Sequence, residues 1–312
     1  MDIAVARKLI DISVDNGINN FKLIGGEPTI YPYFFQVLEY LINIKANIVI
    51  VSNGIRLADK EFCNSLKKYN YSKLRIGISI KGASEEDYIQ DCGARGYTFF
   101  LEAVKNCEDV GLNYSLSYVL TQDNIQNLNQ FAKNLKSSGI NKTIFMAYCK
   151  NMILEENQQS DIQLKMDYDF SQKYEMLNEI LEDRLRIHQT FPLCLCEPTT
   201  LTKLLKKRQI NTICHVHKRN ALIFDTDGSI LMCNQLAGYG IGKFGVDFHD
   251  AKSFKEYWNS DYLVELYNRF TTMPSNKCQY CELFSKCGGG CFIQWFTQNF
   301  NEYERYKSRV LG

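Results

Sequence analysis

The C-terminal part of this 312-residue chain carries four closely spaced cysteines in the pattern C-x2-C-x5-C-x3-C. They are Cys278, Cys281, Cys287 and Cys291. Thiolates separated by only a few residues converge on soft metal centres from a single loop, whereas the cysteines of a disulfide framework are spread across a short secreted domain. The spacing therefore predicts a metal or iron-sulfur site, and it leaves zinc and iron-sulfur both open.

Composition and charge are typical of a globular protein that does not bind nucleic acid. Hydrophobic residues make up 45% of the sequence, and 36 Lys plus Arg stand against 35 Asp plus Glu, so no net basic charge favours a phosphate backbone. Charges interrupt the first residues, and no window approaches about 18 uncharged apolar residues, which excludes a signal peptide and a membrane span. We expect a cytoplasmic protein, in which cysteines persist as thiols.

The first half of the sequence alternates helical periods with short apolar strands. Strands are predicted at 21–24, 47–54, 73–82, 113–121 and 141–149, and helices at 2–15, 33–44, 58–68, 99–111 and 127–139. This alternation indicates βα units around a parallel sheet, either an open sheet or a barrel. Ligands of such sheets bind at the carboxyl ends of the strands.

Small and polar residues follow the first three predicted strands at their carboxyl ends. They are Gly25, Gly26 and Glu27, then Ser52 and Asn53, then Ser79 and Lys81. Glycines let a backbone approach a ligand, and a carboxylate pairs with an ammonium group. Any one of these segments is equally well explained as an ordinary turn, since Gly, Asn and Ser are the usual turn residues. Together they predict a ligand site.

The segment FKLIGGEPTIYP resembles the Gly-Gly-Glu-Pro signature of radical S-adenosylmethionine (SAM) enzymes, and the C-terminal cysteines resemble the SPASM extension of that family. The resemblance implies an α/β fold. The expected chain comprises a partial (β/α) barrel at 1–150, a bridging helical region at 151–212 and a small SPASM-like iron-sulfur domain at 213–312. Within the bridging region, apolar residues predict one face of a helix. They are Phe170, Tyr174, Leu177, Leu181 and Leu185.

The same resemblance assigns the SAM-binding residues. In the family, the Gly-Gly-Glu segment contacts the amino group of SAM, which implicates Gly25, Gly26 and Glu27. Polar groups at the ends of the next strands contact its carboxylate and ribose, which implicates Ser52, Asn53 and Ser79. A family arginine after the third strand has no clear counterpart here, and Arg95 is left unassigned.

The resemblance also implies two auxiliary [4Fe-4S] clusters. The SPASM pattern adds an upstream cysteine and then G-x4-C, supplied here by Cys214 and by the segment from Gly228 to Cys233. The interleaved ligation of the family assigns Cys214, Cys233 and Cys291 to the first cluster. It assigns Cys278, Cys281 and Cys287 to the second cluster.

Each of these two sets has three cysteines and lacks a fourth ligand. The candidates for the first cluster are Cys194, Cys196, His215 and His217. No cysteine follows Cys291, where the family usually completes the second cluster, so Glu302, Glu304 or solvent are the candidates there. A structural zinc site is the competing interpretation, but it leaves the Gly-Gly-Glu segment unexplained. The remaining cysteines are predicted to be buried packing residues. They are Cys63, Cys92, Cys107 and Cys149.

The motif C-x3-C-x2-C, which binds the SAM-cleaving cluster in this family, does not occur in the sequence. The partial barrel is therefore expected to lack its first strand and the loop that carries the motif. A truncated start removes strand and loop together, whereas a pseudoenzyme keeps the strand and loses only the cysteines. A natural protein that lacked this strand would expose unpaired backbone and apolar side chains on the neighbouring strand, which favours aggregation. A truncated start of this sequence is therefore the favoured explanation.

The resemblance implies a maturase that uses SAM-derived radical chemistry on a peptide or protein substrate. A reductant protein is a further expected partner, whereas nucleic acid and membranes are not. The alternative is a noncatalytic, degenerate paralogue that binds a peptide or a partner protein. No acid–base residue is assigned from the sequence.

Overall fold

The structure is a computed structural model that describes residues 1–120, 124–148, 173–188, 192–211, 214–271 and 275–293. The chain forms two compact units, each built from two separate stretches of sequence. The first unit comprises Met1–Tyr118 with Leu222–Ser260, and the second comprises Val119–Ala221 with Asp261–Gly312. The domain boundaries at 150 and 212 stay a prediction.

Four parallel strands follow one another in the first part of the chain. They are β1 (Asn20–Leu23), β2 (Asn47–Ser52), β3 (Leu74–Ile80) and β4 (Tyr114–Leu120), and each pairs with the next in parallel. The helices around them are α1 (Ile3–Asp15), α2 (Phe34–Asn43), α3 (Lys60–Lys67), α4 (Glu85–Cys92) and α5 (Tyr97–Val110). The predicted α/β fold with a parallel sheet is confirmed, and α4 is the one element among these that was not predicted.

Burial explains why these segments form a parallel sheet. Ile48 and Ile50 of β2 and Ile76 and Ile78 of β3 are at most 1% exposed. Near-continuous apolar runs are typical of parallel strands covered on both faces. β1 is less buried, and within the described residues its sheet partner is β2.

The second unit contains three further strands that pair in parallel. They are β5 (Ile144–Tyr148), β6 (Leu185–His188) and β7 (Ile210–Asn211). Helices α6 (Leu128–Ser137), α7 (173–181) and α8 (Pro198–Lys206) belong to the same unit. β6 and β7 were not predicted, because each is too short to show a period of its own.

The predicted apolar face of the bridging helix is confirmed in part. Tyr174, Leu177 and Leu181 are fully buried on α7. Leu185 is also fully buried, but it begins β6 instead of extending the helix. Phe170 and the predicted polar loop at 151–161 lie outside the described residues.

The C-terminal half begins with α9 (His215–Lys218) and then contributes a small antiparallel sheet to the first unit. Its strands are β8 (Ile223–Phe224), β9 (Ser229–Leu231) and β10 (Gly240–Lys243), followed by α10 (Ala251–Trp258). The turn between β8 and β9 contains Gly228, whose φ of +85° lies in the left-handed region that favours glycine. The G-x4-C segment is therefore a hairpin that places Cys233 just after β9.

This hairpin packs on the first helix of the chain. Leu9 and Ile12 of α1 form one buried cluster with Ile230 of β9, with Phe248, and with Phe254 of α10. The side-chain amide of Asn16, which caps α1, also donates to the carbonyl of Ala251 at 3.4 Å. Residues more than 200 positions apart thus share one hydrophobic core.

The second unit ends with α11 (Asp261–Thr271), α12 (Asn276–Gln279) and α13 (Phe284–Cys287). None of the helices in the described part of the chain is long and apolar enough to cross a membrane.

Three of the four predicted packing cysteines lie in described segments. Cys63 of α3 and Cys107 of α5 are fully buried, as predicted. The prediction is wrong for Cys92, which is exposed. Cys92 is the last residue of α4 and precedes Gly93, where the helix ends in a left-handed turn. Cys149 lies outside the described residues.

Candidate functional site

Glu27 connects the turns that follow β1 and β2. Its Oε1 accepts hydrogen bonds from the main-chain N–H of Thr29 at 3.1 Å, from Thr29 Oγ1 at 2.6 Å and from Ser52 Oγ at 2.9 Å. Its Oε2 accepts one from the main-chain N–H of Asn53 at 2.7 Å. Each carboxylate oxygen has about two acceptor positions, so Oε2, which accepts one bond, retains capacity for a further donor.

The parallel register explains why these residues meet. Leu23 at the end of β1 is paired with Ile50 of β2, so the segments that leave both strands emerge at the same edge. Ser52 is buried, and its Oγ accepts from Gly54 N at 3.1 Å. The structure thus brings the predicted residues Glu27, Ser52 and Asn53 together.

Ser79, another predicted residue, lies one strand further along the same edge. Ser52 is paired with Ile78, so Ser79 sits one position beyond that pair on β3. Lys81, two residues later, approaches the carboxylate of Asp91 at 3.9 Å. The predicted SAM residues therefore occupy consecutive strand ends.

Gly25 and Gly26 border open space at this edge. Both are exposed, and a Cβ built on either residue meets no other atom within 4 Å. A ligand has room against this backbone, next to the carboxylate of Glu27. An ammonium group on such a ligand would find a charged acceptor in Oε2. The chemistry of this edge fits the amino acid end of SAM.

Arg56 is a residue of this edge that the sequence did not identify. Its Nη1 donates to the carbonyl of Thr29 at 3.3 Å, and its guanidinium lies 4.5 Å from the centre of the Phe62 ring. These contacts place a positive charge beside the turn that holds Glu27. A single arginine in a short 3-10 turn matches no motif, so no sequence signal identifies it.

The segment after β3 is ordered by a carboxylate at a helix N-terminus. Glu85 of α4 accepts from the main-chain N–H groups of Gly96, Tyr97 and Thr98 at 2.9, 3.2 and 2.9 Å. Hydrogen bonds from Thr98 and Gly96 hold the pKa of Glu85 at about 2. This cap joins α4 to α5 and fixes the ends of the exposed connection that contains the unassigned Arg95.

In the second unit, two pairs of predicted cluster cysteines are neighbours. Burial raises the pKa of the Cys214 thiol, and the nearby thiol of Cys291 raises it further. Burial is the main cause that raises the pKa of the Cys287 thiol to about 11, and the thiols of Cys194 and Cys278 make smaller contributions in the same direction. The first pair belongs to the first predicted ligand set, and Cys278 and Cys287 belong to the second set.

The remaining predicted cysteine ligands are less enclosed. Cys281 is exposed, and Cys233 is half-buried at the end of β9 in the first unit. Across the described ranges, no three His, Cys, Asp or Glu side chains group closely enough to hold one metal ion. The ligand sets for iron-sulfur clusters stay predictions.

The two histidine candidates for a fourth ligand differ in their surroundings. His217 has a ring nitrogen, Nε2, that is buried without a hydrogen-bond partner among the described residues. Burial lowers the pKa of His217, whereas a hydrogen bond with the main chain of Gly290, next to Cys291, raises it. His215 Nδ1 instead lies 2.9 Å from Asn220 Oδ1.

The two cysteine candidates for a fourth ligand differ as well. Cys194 lies beside Cys287, which belongs to the second set, although the sequence made it a candidate for the first. Cys196 is buried. The carboxylate candidates Glu302 and Glu304 lie outside the described residues.

Residues 1–135 match the radical SAM superfamily. Among curated proteins, the antilisterial bacteriocin subtilosin biosynthesis protein AlbA of Bacillus subtilis is 24% identical over 134 residues, which is 43% of this chain and 30% of AlbA. A probable GTP 3′,8-cyclase of Saccharolobus islandicus is 27% identical over 128 residues, 40% of each protein. The matches thus span well under half the length of these curated relatives.

Solved structures share the fold over nearly the whole chain. Native anSMEcpe with bound AdoMet has a TM-score of 0.66 at 19% identity, covering 100% of this chain and 88% of that one. SuiB of Streptococcus suis bound to precursor peptide SuiA has a TM-score of 0.61 at 18% identity, covering 95% and 66%. At this level of identity the likeness establishes the fold.

Proposed function

We propose that the chain, whose residues 1–135 match the radical SAM superfamily, is a SPASM-type radical SAM protein that modifies a peptide or protein. Its substrate is a polypeptide and its electrons come from a reductant protein. The observation that carries the proposal is the cysteine arrangement in the second unit, where Cys214 neighbours Cys291 and Cys278 neighbours Cys287. Each pair belongs to one of the two ligand sets that the SPASM resemblance implies, which supports the proposal.

The SAM-binding part of the proposal rests on the strand ends of the first unit. Glu27 holds the turn after β1 against the turn after β2 through its bonds to Ser52 and Asn53. The exposed backbone of Gly25 and Gly26 leaves space for the ligand. Oε2 of Glu27 would accept from the ammonium group of SAM, while Asn53 and Ser79 lie where its carboxylate and ribose would extend.

The auxiliary clusters would lie on the predicted cysteine sets. Cys214, Cys233 and Cys291 would hold the first, and Cys278, Cys281 and Cys287 the second. Held by these cysteines, [4Fe-4S] clusters would supply an electron acceptor or an iron site for substrate sulfur. The buried Cys287 requires compensation for its negative charge once ionised, and the main-chain N–H of Leu193 donates to its Sγ at 3.3 Å.

The substrate class is supported by what the relatives act on. AlbA is a bacteriocin biosynthesis protein, and the SuiB and anSMEcpe structures include peptide complexes. A peptide is therefore the substrate class proposed here. The second candidate is a noncatalytic protein that uses the same surfaces to bind a peptide or partner, which accords with the absence of C-x3-C-x2-C from these 312 residues.

Metal and sulfide analysis of the full chain, reconstituted anaerobically, tests this function. We expect about eight irons per chain with matching labile sulfide, and Cys278→Ala and Cys233→Ala should each lose about half. Cys92→Ala is the matched control, because Cys92 is exposed and belongs to neither set. Stoichiometric zinc without labile sulfide would contradict the proposal and indicate a zinc-binding protein.

A further inference from the structure

A short 3-10 turn, Leu193–Leu195, lies against the most deeply buried cysteine of the second predicted set. The main-chain N–H of Leu193 donates to Cys287 Sγ at 3.3 Å, and both groups are buried. The turn is closed by the N–H of Cys196, which donates to the carbonyl of Leu193 at 3.1 Å. The contact joins parts of the chain that are 94 residues apart in sequence.

The next residue, Cys194, belongs to the turn that is hydrogen-bonded to this thiol. Its sulfur is close enough to interact electrostatically with Cys287, as is that of Cys278. Cys194 is exposed, whereas Cys196, two residues later, is buried with 7% exposure. Only the first cysteine of the C-x-C pair thus combines solvent access with proximity to this set.

The second cysteine set needs one more ligand. A [4Fe-4S] cluster is normally held by four thiolates, and Cys278, Cys281 and Cys287 supply three. Cys194 has the ligand chemistry that is missing, and the turn that carries it is already bonded to Cys287.

We propose that Cys194 is the fourth ligand of the second auxiliary cluster, together with Cys278, Cys281 and Cys287. This inference rests on the proposed function, because it requires that the cluster is bound. The Cys194 thiol releases its proton when it binds iron, so no oxidant or reductant is needed for ligation. The Leu193 N–H bond to Cys287 is then a hydrogen bond to a cluster sulfur ligand, which is one of the features that set cluster potentials.

The test isolates the second cluster in the full-length chain. Cys214, Cys233 and Cys291 are all replaced by Ala, and this parent is compared with the same chain carrying Cys194→Ala or the matched control Cys196→Ala. Iron and sulfide content and the EPR spectrum of the reduced protein are measured after anaerobic reconstitution. Circular dichroism checks that each variant is folded. None of these readouts depends on catalytic activity.

We expect the parent and Cys196→Ala to hold about four irons with the same EPR g-values. With Cys194→Ala, we expect either an about twofold or greater loss of iron, or retained iron with shifted g-values because solvent replaces a thiolate. Addition of a small thiol should reverse such a shift. Unchanged iron and g-values with Cys194→Ala would overturn the assignment while leaving the proposed function intact.

Two other outcomes are also decisive. A parent without iron would overturn the proposed function and the Cys194 assignment together. In the reciprocal parent, with Cys278, Cys281 and Cys287 replaced by Ala, we expect Cys194→Ala to leave the remaining cluster unchanged. If Cys194→Ala lost iron only in this reciprocal parent, Cys194 would be a ligand of the first cluster, and the proposal would be overturned.

Discussion

At the scale of single residues, Glu27 shows how one side chain can organise a ligand site. Its carboxylate accepts hydrogen bonds from Thr29, Ser52 and Asn53, which lie on two separate turns. Charge-assisted bonds of this kind are stronger than neutral ones, and an unpaired partner is costly when it is buried. Glu27 therefore both shapes the turns and presents a negative charge at the proposed SAM site.

We predict that Glu27→Gln weakens SAM binding about tenfold, or ~1.4 kcal/mol. The substitution removes the charge that would pair with the SAM ammonium group, and it turns one acceptor into a donor facing the N–H of Asn53 or Thr29. Isothermal titration calorimetry measures the change. Glu102→Gln, on the exposed face of α5, is the control and should bind SAM normally. Equal affinities in both variants would contradict the assignment of Glu27.

At the scale of elements, the connection between α4 and α5 depends on one cap. Glu85 accepts three main-chain N–H bonds at the start of α5 and a fourth bond from Thr98 Oγ1. An anionic side chain at a helix N-terminus satisfies free N–H groups and interacts favourably with the helix dipole. Gly96, the residue that precedes the helix, has no side chain that could cap it, so Glu85 supplies the cap instead.

We predict that Glu85→Gln destabilises the fold in a pH-dependent way. The folded pKa is about 2, depressed from 4.5, so the stabilisation is fully present above about pH 4.5 and is lost as the pH falls towards 2. Wild type should thus be more stable than the variant at pH 7, and the two should converge in acid. Urea unfolding at both pH values measures this.

The matched control for this experiment is Glu86→Gln. Glu86 is exposed in the same first turn of α4, and its replacement by Gln removes the same single negative charge. A difference between wild type and Glu85→Gln that persists unchanged at pH 2 would show that the carboxylate charge is not the cause.

At the scale of the whole molecule, the first unit is assembled from distant stretches of chain. The aromatic ring of Phe248 is fully buried and lies near the rings of Phe244, Phe254 and Tyr257, next to Leu9 of α1. The hairpin that carries Cys233 thereby shares a hydrophobic core with α1. A substitution in this core should therefore destabilise α1.

We predict that Phe248→Ala costs about 3–5 kcal/mol of unfolding free energy, the range for deleting a buried aromatic side chain. Amide exchange in α1 should also accelerate, because Leu9 and Ile12 lose their packing partner. Val246→Ala is the control, since Val246 is 70% exposed. If exchange accelerated only within residues 222–260, the shared core would not couple the two stretches.

A further prediction concerns the whole reaction. These 312 residues contain no C-x3-C-x2-C, so a protein made of them alone should bind SAM without cleaving it. Anaerobic incubation of the reconstituted chain with SAM and dithionite should yield no 5′-deoxyadenosine above a reaction without reductant, as measured by mass spectrometry. Reductant-dependent 5′-deoxyadenosine would mean that other cysteines hold a SAM-cleaving cluster.

The alternating elements of residues 1–148 were predictable because each strand and helix carries its own period of apolar residues. α4 was missed, since its apolar residues are few and its start is determined by the cap of Ser84. The exposed Cys92 was misjudged for the same reason, because it lies at the end of that unrecognised helix. β6 and β7 depend on pairing with neighbouring strands, which no local pattern reports.

The α/β alternation, the Gly-Gly-Glu turn and the cysteine spacing can be recognised in the sequence, because all three depend on residues that are close in the chain. Three contacts are visible only in the folded chain: Glu27 bonds to Ser52 and Asn53, the hairpin of Gly228 packs on α1, and the turn that carries Cys194 is bonded to Cys287. The physical reason is that these contacts arise from strand register and core packing. Both depend on residues far apart in sequence, and neither leaves a periodic signal.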